Sequence, residues 1–126
     1  MAFTQVDQWT GPIATVQAVV VAPTGKIIGV AVWWTDQPNW VPVPASGIPV
    51  GAALSVSVQW RNNSAYRVTG QVVATLITPS GQRVALTMGS PQVRDPAGEI
   101  NAQSGTVTLS AAGAYSLEAS LNLEAA

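Results

Sequence analysis

The chain has no cysteine and no histidine. The first absence removes disulfides, thiolate nucleophiles and thiolate metal sites together, so stability cannot rest on cross-links. The second removes the commonest general base and, with cysteine, the usual triads and nearly every zinc site. Charge is scarce as well. Charged residues make up 9% of the chain, where a soluble domain usually carries about 25%. Five Lys and Arg against six Asp and Glu leave a net charge of -1. That balance gives no electrostatic footprint for nucleic acid or an anionic membrane, and neither is expected as a partner.

Long apolar runs are missing too. The longest, residues 18–23 and 27–34, are parted by Thr24, Gly25 and Lys26 and fall well short of the roughly 20 residues that span a bilayer. The opening Met1-Ala-Phe-Thr-Gln-Val-Asp-Gln-Trp9 lacks the basic start and apolar run of a secretory signal. We therefore expect a chain that stays inside the cell that makes it, or a processed form. With 126 residues there is room for one ordinary core. The expected organisation is an N-terminal arm over residues 1–13 and a single β domain over residues 14–126.

What is present is the punctuation of an all-β protein: 11 Gly, 9 Pro and abundant Val and Thr, with no window of sustained helical apolar spacing. The clearest strand is Leu54-Ser-Val-Ser-Val-Gln-Trp60, with Leu54, Val56, Val58 and Trp60 on one face and Ser55, Ser57 and Gln59 on the other. Tyr115, Leu117, Ala119, Leu121 and Leu123 repeat the pattern, as do Val84, Leu86 and Met88. Ala22-Pro-Thr-Gly25 and Thr78-Pro-Ser-Gly81 place Pro and Gly as hairpin turns require. Val16, Ala18, Pro23 and Gly25 also line up with Val72, Ala74, Pro79 and Gly81, a match that an internal duplication or simply two ordinary hairpins would give. Strands are expected near residues 14–22, 27–34, 52–60, 67–78, 82–88, 105–110 and 114–123. About seven short strands in one small domain is the pattern of a two-sheet sandwich. The Pro-rich residues 38–49 read as an extended connection, and residues 89–104 as the longest loop.

The run Val50-Gly-Ala-Ala-Leu-Ser-Val-Ser-Val-Gln-Trp-Arg-Asn-Asn-Ser64, the hairpin Val72-Val-Ala-Thr-Leu-Ile-Thr-Pro-Ser-Gly81 and the late Ala112-Gly-Ala-Tyr-Ser-Leu-Glu-Ala-Ser-Leu121 carry a resemblance. Together they resemble the immunoglobulin-like β-sandwich modules of prokaryotic surface proteins and of phage virion proteins, including decoration-type subunits, over roughly residues 50–123. The antibody-type Cys pair is missing. The resemblance implies a module that binds or assembles.

Catalysis would fall to Asp7, Asp36, Asp95, Glu99, Glu118 and Glu124, the full set of acids. Glycoside hydrolysis needs two of them across one cleft, and their placement in predicted loops and on wet strand faces gives no sign of that, so no enzymatic activity is expected. Asp95-Pro-Ala-Gly-Glu99 with Asn101 offers oxygens for Ca²⁺ but lacks the dense alternating acids of a calcium loop. No metal or other cofactor is expected.

The apolar excess sits at the front of the domain. Residues 15–22 and 27–34, as strands, are apolar on both faces, where a half-exposed strand shows a polar face. If Val16, Ala18, Val20, Ile28, Val30 and Val32 meet the core, then Val19, Val21, Ile27, Ala31 and Trp33 are left outside, more than a monomer commonly exposes. Adjacent Trp33 and Trp34 must point to opposite faces. Trp9 lies in the arm, Trp40 in the Pro-rich connection, and Trp anchors interfaces. The expected contact surface is Trp9, Val19, Val21, Ile27, Ala31, Trp33, Trp34 and Trp40. The expected role is a structural subunit of a virion, made in the cytoplasm, that self-associates as a homo-oligomer or docks on a larger protein shell. The alternative is a carbohydrate-binding or adhesion module in which Trp33 or Trp34, Trp40, Asp36 and Asn39 form a stacking platform for a glycan.

Overall fold

Alternation puts a continuous apolar face on Leu54, Val56, Val58 and Trp60, and the strand that carries them is the centre of the first of two sheets. A computed structural model describes residues 2–14 and 22–126. Among them are nine strands and no helix: β1 (Gly25–Trp34), β2 (Val41–Pro42), β3 (Ala53–Asn62), β4 (Val68–Ile77), β5 (Arg83–Leu86), β6 (Gln92–Arg94), β7 (Glu99–Gln103), β8 (Val107–Thr108) and β9 (Ser116–Ala125). In the first sheet β2, β1 and β3 lie side by side, and β7 and β8 share the far edge of β3. In the second, β4 is central, with β9 along its whole length on one side and β5 and β6 sharing the other. Every pairing is antiparallel. The two sheets pack face to face as an all-β sandwich around Val32, Trp34, Leu54, Val56, Val58, Trp60, Val68, Val72, Ala74, Leu76 and Leu86.

The expected strands over 27–34, 52–60, 67–78, 82–88 and 114–123 are present with shifts of a few residues, and the stretch expected over 105–110 shrinks to the two residues of β8. The strand expected over 14–22 falls on residues outside the described ones, save its two ends, Ala14 and Ala22, which lie in no strand. The Thr78–Gly81 turn joins β4 to β5 as expected: Gly81 takes a positive φ of 85° and donates to the Thr78 carbonyl. The Pro-rich connection contributes β2, which pairs Val41 and Pro42 at the edge of the sheet, where a missing N–H costs least.

Two expectations are corrected. Residues 89–104 are not one long loop. They form β6 and β7, joined by a tight turn in which Gly98 donates to the Asp95 carbonyl and Ala97 has φ 64°. The wet face expected on β3 is also covered in its middle. Ser55 and Ser57 are buried because the chain leaving β7 passes over them, with Ser55 Oγ donating to the Ser104 carbonyl at 2.6 Å and Val56 N donating to Ser104 Oγ at 2.8 Å.

Two residues fix the sheets against each other. Asn62, fully buried at the end of β3, donates through Nδ2 to the carbonyls of Tyr66 (2.9 Å) and Arg94 (3.0 Å) and accepts from Ser64 N (2.8 Å). It ties the turn into β4 to the end of β6, satisfying groups that burial would otherwise penalise. Trp60, beside it on the inner face, lays its ring directly over Gly70 of β4, where any Cβ would overlap the ring. Gly70→Ala is therefore expected to force the Trp60 ring out of place and cost about 1–3 kcal/mol, read as a lowered urea midpoint with an unchanged slope; a neutral substitution would show that the sheets do not close on this contact.

Candidate functional site

The inner row of β9 is where the sandwich is incomplete. Tyr115, Leu117, Ala119, Leu121 and Leu123 point inward as their alternation predicts, yet none is fully buried, whereas Val72, Ala74 and Leu76 on the adjoining β4 are. On the opposite sheet the corresponding strand is β1, flanked on its outer side only by the short β2, and there only Val32 and Trp34 are buried. The two edges come together at one end, where Gly25 lies so near Leu121 and Leu123 that an added Cβ would stand 2.7 Å from Leu123 Cδ1. Toward the other end they diverge around a groove of about 890 Å³. Ile27, Val30 and Val32 form one wall, Leu117 and Ala119 the other, and Leu54, Val56 and Leu76 the floor. The residues 43–50 and 111–115 frame its mouth. Among the described residues no charged side chain lines it.

The register of β1 decides which residues face this groove. Ile27 pairs with Trp60 and Gly29 with Gln59, so Ile28 is an extra residue, a bulge. The bulge corrects the expected faces. Ile27, expected outside, turns in and lines the groove, while Ile28, expected inside, is exposed. Ala31 and Trp33 do face outward, opposite Ser57 and Ser55. Trp33 is half-buried because its Nε1 donates to the Gln37 carbonyl at 2.6 Å, which draws the turn after β1 against the ring.

The remaining expected contact residues scatter. Trp34, expected at the contact surface, is a core residue, 8% exposed. Its neighbour Leu54 holds it on the inner face, and it can offer no ring to a partner or a sugar. Trp40 is 38% exposed. Trp9 stands out from the body with the rest of the arm: residues 2–14 are all exposed and form no strand, with Phe3 at 107%, Val6 at 94%, Trp9 at 73% and Ile13 at 89% exposure. Val19 and Val21 lie outside the described residues. Reasoning on the sequence missed the groove-lining inner row of β9, because alternation marks which side chains point inward and not whether anything lies on them.

The acids do not converge. Asp36 sits at a positive φ of 71° in the turn after β1, a conformation Asp tolerates. Asp95 accepts from Arg67 Nε at 2.9 Å on the surface, and Asp7 accepts from Gln8 N within the arm. Arg83 donates to Glu118 across the outer face of the second sheet and, by that hydrogen bond and its charge, lowers the Glu118 pKa below the usual carboxylate value. Both partners are solvated, so the pair adds little to stability. Among the described residues no three metal-ligating side chains of the His, Cys, Asp or Glu type stand together.

No family model, curated protein or solved structure matches the chain. The site must therefore be read from its own chemistry, which is that of an uncharged, mainly apolar groove beside β9.

Openness of the groove in a lone subunit has a measurable consequence. Leu54→Ala, deep in the floor, is expected to cost about 2–5 kcal/mol, and Leu117→Ala, on the half-covered wall, about half as much or less. Urea titration at high dilution reads both; equal costs would mean that the groove is filled within one copy.

Proposed function

We propose that this chain is a non-enzymatic structural subunit, an immunoglobulin-like module that self-associates or docks on a larger protein shell, as virion decoration subunits do, through apolar β-surface. The observation that carries the reading is the half-covered inner row of β9 facing β1 across an uncharged groove. Side chains such as Leu117 and Leu121 gain about 1.5–3 kcal/mol each when fully buried, and a lone copy leaves much of that unrealised. The exposed apolar arm adds to the demand for a partner. A structural role also accounts for the dispersed acids and for the missing His and Cys, since a contact surface needs no proton carrier or nucleophile.

The glycan reading has less support. A stacking platform needs flat rings side by side on an open surface, but Trp34 is in the core, Trp33 is tied to the Gln37 carbonyl and Asp36 serves a turn. Trp40 remains alone.

Association is the direct test. At micromolar concentration the full chain is expected to scatter light as a particle several times its 13.0 kDa mass, and Val19→Ser with Val21→Ser to weaken that association with an unchanged β-type circular dichroism spectrum. A chain that stays monomeric by itself and also fails to bind a larger assembly would end this reading.

A further inference from the structure

The groove and the arm are two unsatisfied apolar surfaces on one chain, and each has the form the other needs. The groove is bounded by β9, a ten-residue strand that pairs only with β4. Among the described residues nothing pairs with its second edge, which borders the apolar groove. Natural sheets rarely leave an edge of that length bare. An extended peptide laid along such an edge gains main-chain hydrogen bonds, and alternate side chains enter whatever pocket lies beneath.

The arm fits that description. In an extended strand successive side chains alternate, so over residues 9–13 Trp9, Gly11 and Ile13 share one face with Thr10 and Pro12 on the other, and toward the N-terminus Asp7, Gln5 and Phe3 continue the first face and Gln8, Val6 and Thr4 the second. The only charge in residues 2–14 is Asp7; it shares the face of Trp9 and Ile13, so an uncharged groove takes residues 9–13 with Asp7 left at its mouth. Pro12 lacks an N–H, which is tolerated at an outermost strand. The arm does not use its own body. All thirteen residues from 2 to 14 are exposed, and the Trp9 ring leans on Gly11 of the arm itself, 3.1 Å from where its Cβ would be.

We infer that the N-terminal arm of a second copy of this chain occupies the groove, its backbone along the free edge of β9 and Trp9 and Ile13 between the β1 and β9 walls. The inference rests on the assembly reading above and names its partner. The contact is head-to-tail: each copy gives one arm and receives one, so the assembly closes as a ring or extends as a filament. Two anchors of this size, with the flanking backbone, bury several hundred Å² per partner, toward the roughly 800 Å² of an ordinary specific interface.

Complementation between full-length variants tests it. Trp9→Ser with Ile13→Ser removes the anchors without touching the body, and is expected to weaken self-association about a hundredfold or more. Ala119→Arg fills the groove and leaves the arm intact. Each variant alone is expected to run as a monomer, and the two mixed are expected to give a one-to-one dimer and nothing larger, because only one functional arm and one functional groove remain. Should Ala119→Arg not fold, the arm variant decides the matter by itself, since its altered side chains contact nothing in the body. If the unaltered chain associates and the arm variant associates equally well, the arm is not the occupant, although the assembly reading survives. If a chain carrying Ile13→Cys and Ala119→Cys closes its disulfide within one copy at high dilution, the arm fills its own groove and the inference is overturned.

Discussion

An inward row of apolar side chains is stable only when something lies on it, and in this sandwich that requirement is met along β4 and left open along β9. The difference follows from topology. β4 and β3 are central strands, flanked on both sides, and their inner residues reach full burial. β9 is an edge of its sheet among the described residues, and β1 is flanked on its outer side only by the two-residue β2, so the inner residues of both depend for cover on each other or on a further segment of chain. Gly25 lets the two edges touch at one end, because a glycine there admits Leu121 and Leu123. Beyond that point the Pro-rich residues 43–50 and the residues 111–115 hold them apart. The groove thus lies between one close approach at Gly25 and the two connections that line its mouth.

That geometry separates two causes of the apolar excess in β1. Its inner residues, Ile27, Val30 and Val32, are apolar because they wall the groove. Its outer residues, Ala31 and Trp33, are apolar for a local reason: small side chains sit opposite buried Ser57 and Ser55, and the indole is capped by the turn at Gln37. Only the first set asks for a partner. A strand apolar on both faces is therefore not by itself evidence of two contact surfaces, and the outer face of the first sheet needs no occupant to explain its composition.

Much of this was legible in the residues. Period-two alternation located β3 and β9 and identified their inner faces, and Pro and Gly chemistry placed the turn from β4 to β5. What stayed hidden has physical causes. β6 and β7 are three and five residues long, too short for alternation to show. They are held by pairing to β4 and β3 rather than by any pattern of their own. The bulge at Ile28 reverses the faces of β1 halfway along, which no periodicity can announce when both faces are apolar. Trp33 and Trp34 exchange roles with one step of register, so the sequence could say that one ring leaves the core and not which. The groove itself depends on which strands become edges, a property of long-range pairing.

The arm sharpens the argument about why so little charge is needed. An isolated copy with Phe3, Val6, Trp9 and Ile13 fully in water would be prone to indiscriminate association, since contiguous apolar surface invites it. Natural surfaces usually suppress this with charge, and this chain has little to spend. In the assembly proposed above, specificity comes from shape and backbone pairing: an apolar groove for an extended segment, a strand edge that fixes its direction, and a Gly11-Pro12 pair that limits how far along β9 regular hydrogen bonding could run. Each of these constrains one contact per copy. The assembly proposed above would be selective without electrostatics, and the low charge of the chain would follow from the covering that reading gives it.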